Sequence, residues 1–132
     1  MDQTFLVGKG QKLVELLDET AAKPRAAMWV HYPDNDVWKF WIVPDSKVQD
    51  KREFYRIVAE VITLNADVLA GLDVSATEFI RDDHPAIRGM QSVVRLPGIG
   101  SAHFTGNTFN GYYLPDGIVI RMDISRKNPA AA

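Results

Sequence analysis

Apolar positions recur at helical spacing early in the chain, where Leu13, Val14, Leu16, Leu17 and Ala21 are interleaved with Lys12, Glu15, Asp18 and Glu19. Such a segment is oily on one side and charged on the other, which predicts an amphipathic helix over residues 10–22, ended by Pro24. A stronger stripe, Phe54, Ile57, Val58, Val61, Val68 and Leu69, runs through residues 50–71, with Tyr55, Ile62 and Leu64 widening it. Asp50 with Glu53 supplies a capping box, Ser46 with Gln49 an earlier alternative start, and Gly71 a left-handed end. This is the predicted central helix.

Strand character appears in TEFIR (residues 77–81), in VVRL (93–96), and then in SAHFT, GYYL and the alternating run IVIRMDI. Asp83 before Pro85 predicts the start of a short third helix. In Leu114-Pro115-Asp116-Gly117, proline presets the first corner of a turn and glycine takes the left-handed position. That turn pairs Leu114 with Ile118 and places Tyr112, Leu114, Ile118, Ile120, Met122 and Ile124 on one face.

Between the first two helices, MWVHYPDNDVWKFWIVP holds all three tryptophans within thirteen positions. Tyr32-Pro33-Asp34-Asn35 has the same turn chemistry, with asparagine in the left-handed position. A three-residue loop sets Val30 opposite Trp38 and puts Met28, Val30, Tyr32, Trp38, Phe40 and Ile42 on one face. A two-residue loop of Asp34 and Asn35 would instead mix Lys39 with Met28, Val30 and Tyr32, which a buried face should reject. The other face then carries Trp29, His31, Val37, Lys39 and Trp41. Two bare tryptophans would make a large apolar patch, so the first helix, another chain or a ligand must cover them.

The order helix, hairpin, long helix, strand, short helix and strand meander predicts an α+β fold. The expected layout is a single antiparallel sheet of about five to six strands, with an N-terminal helix and a long central helix packed on it and a short third helix near residues 84–92. Residues 1–125 form the expected single domain, and 126–132 a disordered tail with no apolar anchor.

Composition narrows the function classes. With 132 residues, 46% apolar and 24% charged, the chain can bury one proper core. Its formal net charge is −2. Nine basic and eleven acidic residues precede Ala70 and six of each follow, so there is no basic block of the kind that tracks nucleic-acid phosphates. The absence of cysteine removes disulfides, thiolate metal sites and cysteine nucleophiles, and fits a reducing compartment. Lacking a signal-like N-terminus or a run of about 18 apolar residues, the protein is expected to be soluble and cytoplasmic, without membrane contact.

Candidate chemistry is sparse. Asp82-Asp83-His84 concentrates carboxylates and imidazole, the groups of metal or acid-base sites, but adjacent residues seldom converge on one ion. His103-Phe104-Thr105 matches the His-x-Thr element that two-histidine phosphoesterases use twice, with no second copy, and Ser101 beside it lacks a nucleophile elbow. Leu96 to Ser101 has two glycines but neither a dinucleotide fingerprint nor a P-loop. Arg81, Arg95 and Arg121 fall on expected strands and would bind an anion if they met at one edge. No cofactor or metal motif is present.

These readings favour a small non-catalytic binding or adaptor module, acting through a homodimer or protein-partner interface that includes the hairpin 28–43, with Trp29, His31, Lys39 and Trp41 as its contact or ligand-binding residues. The alternative is a small hydrolase or phosphoesterase using His103 or the Asp82-Asp83-His84 cluster. A third reading is nucleic-acid binding by tryptophan stacking.

Overall fold

A computed structural model describes residues 3–124; the tail expected over 126–132 lies outside them. The class is α+β, and the sheet departs from the expected all-antiparallel arrangement. Helix α1 spans Gln3–Leu17, and strands β1 (Ala26–Tyr32) and β2 (Val37–Val43) form the hairpin. Helix α2 (Lys51–Leu64) then leads through a 3-10 turn, Val74–Ala76, into β3 (Thr77–Phe79). Helix α3 (Pro85–Gln91) is followed by β4 (Ala102–Phe104), β5 (Asn107–Phe109), β6 (Tyr112–Leu114) and β7 (Gly117–Met122). The main sheet has the order β3-β2-β1-β7-β4, and β5-β6 is a separate two-stranded sheet.

β3 runs parallel to β2. The intervening α2 supplies the crossover that a parallel pair needs, whereas the sequence pattern had suggested only antiparallel neighbours. VVRL does not form a strand; only Leu96 bridges to Met122. β6 pairs with β5 rather than β7, through a two-residue turn in which Asn110 and Gly111 have φ of 51° and 79°. Asn-Gly is the strongest short hairpin signal, and it overrides the proline turn that follows. Gly117 does not occupy a left-handed corner. It is small because a Cβ there would lie 2.5 Å from the Trp29 carbonyl and against the Phe104 ring.

Helix α1 begins earlier and ends earlier than residues 10–22. Its buried stripe is Leu6, Gly10, Leu13, Val14 and Leu17. The glycines at 8 and 10 argue against a helix by propensity, but Gly10 lies beneath the Trp29 indole and its bare backbone makes room for it. Past Leu17 the helix unwinds as the Thr20 hydroxyl bonds the Leu17 carbonyl at 2.7 Å. Helix α2 starts at the Asp50 cap as expected and stops at Asn65, whose side chain donates to the Val61 carbonyl at 2.8 Å. Turns then lead to Gly71, at φ +89°.

The hairpin takes the register that Lys39 was expected to veto. Met28 faces Trp41, Val30 faces Lys39 and Tyr32 faces Val37, and the loop is Pro33 to Asp36 with Asp36 at φ 52°. Lys39 is tolerated because it snorkels: its ammonium reaches the Ser75 carbonyl at 2.7 Å while its stem stays along the sheet. This one-step shift exchanges the faces of β2 relative to β1, so Trp29 and Trp38 share one side of the sheet and Trp41 takes the other.

Two cores result. On one side α1 and α2 cover Trp29, Phe40, Ile42, Ile118 and Ile120. On the other, α3 and the small sheet cover Met28, Val30, Trp41, Val119 and Met122. Alternation gives β7 a face in each core, and a bulge changes which face its last residues take: Ala27 pairs with Arg121 and Met28 with Val119, leaving Ile120 as the extra residue, so Ile120 and Met122 fall on opposite sides. The continuous face expected from Tyr112 to Ile124 is therefore divided between the two sides.

Candidate functional site

The aromatic residues expected to share a surface are separated and covered. Trp29 is only 2% exposed, and its indole N–H donates to the Leu6 carbonyl of α1 at 2.7 Å. Trp41, 3% exposed on the opposite face, donates to the Tyr32 hydroxyl at 2.9 Å. His31 lies with Trp38 at the hairpin end, ring centroids 4.8 Å apart, and its Nε2 is 2.7 Å from Asp36 Oδ1. That contact holds the Asp36 carboxyl below its usual range. Lys39 is the fourth expected residue, and the 3-10 turn ahead of β3 takes its ammonium.

The arginines do not gather at one edge. Arg121 is 8% exposed and held by four hydrogen bonds: it grips Asp18 with both terminal nitrogens and donates to the carbonyls of Gly98 and Pro24. Arg81 follows β3 at the far side of the sheet and pairs loosely with Asp83 at 3.5 Å. Arg95 is exposed beside the Leu96 bridge.

Nor does Asp82-Asp83-His84 converge. Asp82 bonds Arg25 at 2.9 Å, Asp83 turns to Arg81, and His84 caps α3, its Nδ1 accepting from the Ala86 N–H at 3.1 Å. The cap is His84 rather than the expected Asp83. Among the described residues no cluster of three or more histidines and carboxylates is placed to hold a metal ion. His103 is exposed on β4, opposite Ile118 and far along the chain from His84.

An open groove between α2 and β3 brings together a different set. Lys51, Arg52, Tyr55, Arg56 and Ala59 form the helical wall, and Val74 to Phe79 contribute the other. The spacing explains the first wall, since residues four apart stack on one side of a helix. The crossover that makes β3 an edge strand explains the second. Lys51 and Arg52 have no side-chain partner among the described residues, and Arg56 meets Glu60 at 3.4 Å with both side chains mostly exposed. Such a pair contributes little and is readily exchanged. The acidic side of the lining is Glu78.

Both outward N–H groups of β3 are already satisfied. Thr77 donates to the Val74 carbonyl, and Phe79 donates to the Tyr55 hydroxyl at 3.0 Å. The groove therefore offers side chains rather than an open ladder to an extended ligand. Cations in the first turn of α2 also oppose the partial positive charge of the helix end, so Lys51 and Arg52 are not there to stabilise the helix. The sequence reading missed this wall because it counted Tyr55 as part of the apolar stripe; the four-residue spacing of Arg52 and Arg56 was its legible signal.

Comparison with protein-family models, with curated proteins and with solved structures gives no match. Among the described residues no helix is long and apolar enough to cross a membrane.

Proposed function

We propose that this chain is a small, non-catalytic, cytoplasmic binding module that holds an acidic segment of a partner protein in the groove between α2 and β3. The observation that supports this is the charge of the groove: Lys51, Arg52 and Arg56 line it with Glu78 as the one acidic residue of the lining, in a chain of net charge −2. Tyr55, Val74 and Phe79 add apolar contact for side chains interleaved with the acids. Basic residues beside aromatics suit acidic-apolar segments, and their attraction raises the encounter rate as well as the affinity.

The test is fluorescence anisotropy with a labelled peptide alternating glutamate and leucine, at low and moderate salt. Wild type is expected to bind, and Lys51→Glu with Arg52→Glu to weaken binding by at least about tenfold, roughly 1.4 kcal/mol. Equal binding by wild type and the double variant rejects the groove. Stronger binding of a single-stranded oligonucleotide, weakened by the same substitutions, would reassign the groove to phosphates.

A further inference from the structure

We infer that His84 is an acid-released latch: its imidazole locks the cover made by α3 and the β5-β6 sheet onto the second core, and protonation opens that lock. His84 precedes Pro85 with φ −58° and ψ 132°, and its Nδ1 accepts from the Ala86 N–H. An imidazole that accepts at Nδ1 is neutral, with its proton on Nε2.

Protonation turns that acceptor into a donor facing another donor. It also places a positive charge at the helix end where aligned peptide dipoles disfavour it. The N-cap of a seven-residue helix is a large share of what holds its first turn. One event thus removes a hydrogen bond and adds a repulsion.

The surroundings connect this local change to the cover. The His84 ring lies 5.0 Å from Trp41 of β2 and 4.7 Å from Tyr112 of β6, so it joins the main sheet to the small one. Trp41 in turn donates to Tyr32 of β1. Tyr32 is raised above its ordinary value by burial, with Glu78 of β3 and Tyr112 adding to the rise. Asp83 is the adjacent carboxylate. Burial lowers the His84 pKa from 6.5, against the smaller opposing pull of Asp83. Farther along α3, Gly89 is packed so closely that an added Cβ would lie 2.6 Å from the Asn110 nitrogen, so helix and small sheet meet backbone to backbone.

The depressed folded pKa means that the unfolded or open form binds the proton better. The stabilisation is present above the ordinary histidine value and is lost as pH falls through the folded value. Within that window the opening equilibrium shifts by up to about tenfold per pH unit.

Amide exchange expressed as protection factors, from about pH 8 to about pH 5 so as to bracket the ordinary histidine range, tests this alongside an NMR titration of the three histidine rings. Wild type is expected to lose protection over residues 85–91 and 107–114 together as pH falls below the ordinary histidine value, the loss levelling off where the His84 ring titrates, with α1 unaffected. His84→Asn keeps a capping acceptor that does not titrate, and is expected to hold protection across the range. Constant protection while the His84 ring titrates, or the same acid response in His84→Asn, overturns the inference. If the variant does not fold, whether the wild-type loss levels off at the His84 midpoint decides.

Discussion

Arg121 and Asp18 lie 103 positions apart and meet in a two-pronged ion pair, with nitrogen–oxygen distances of 2.7 and 2.9 Å. Because Arg121 is over nine-tenths buried, removing its counter-charge leaves a guanidinium that water cannot reach. Asp18→Ala is expected to cost about 2–4 kcal/mol, toward the lower end because the Asp18 side chain is partly exposed. Urea denaturation checks this, and a loss well under 1 kcal/mol would show that solvent already screens the pair.

Gly8 and Gly10 sit two residues apart in α1 and should respond oppositely to alanine. A Cβ at Gly8 meets nothing, so Gly8→Ala is expected to stabilise by about 0.5–1 kcal/mol through helix propensity. At Gly10 a Cβ would lie 2.7 Å from the Trp29 indole nitrogen, and Gly10→Ala is expected to destabilise by about 1–3 kcal/mol. Thermal melts of the two variants, side by side with wild type, give the sign directly.

Gly89→Ala forces α3 away from the β5-β6 turn, because both nearest neighbours are backbone atoms of Phe109 and Asn110. Backbone yields less easily than a side chain. A loss of about 2 kcal/mol is expected, with amide exchange accelerated in residues 107–114 more than in β1. Uniform acceleration across the chain would contradict the view that the cover is a separate unit.

Tyr55→Phe removes the acceptor for the Phe79 N–H and leaves an outward donor on an edge strand. The expected cost is about 1 kcal/mol, read by denaturant titration. Because the freed N–H restores part of an open edge, concentration-dependent association should appear in sedimentation. A variant that stays as monodisperse as wild type would show that Tyr55 does not guard this edge.

Much of the architecture was legible in local pattern. The stripe from Phe54 to Val61 and the Asp50 cap located α2, and Pro85 located α3, since each feature acts within a turn or two of the chain. What failed was relational. The register of the hairpin turned on whether Lys39 would enter an apolar face, and the answer lay with the Ser75 carbonyl, 36 positions away. Likewise β3 became parallel because α2 carries the chain back, and Gly117 is glycine because Trp29 and Phe104 crowd it, neither of which periodicity records.

The candidate surface moved for the same reason. Trp29 and Trp41 stood out as large residues on a mixed face, but once the register shifts by one, each lies in a different core. Lys51, Arg52 and Arg56 drew no notice as the solvated side of a helix. They became a wall only when β3 came to lie alongside.

β7 is the last strand in chain order among the described residues, yet it sits between β1 and β4 in the sheet. During synthesis, therefore, β1 has one bare edge and both cores lack their shared strand until residues 117–122 leave the ribosome. Helix α1 can form early, but the Asp18 clamp waits for Arg121. The nascent chain must stay open until β7 has been made and then close at once.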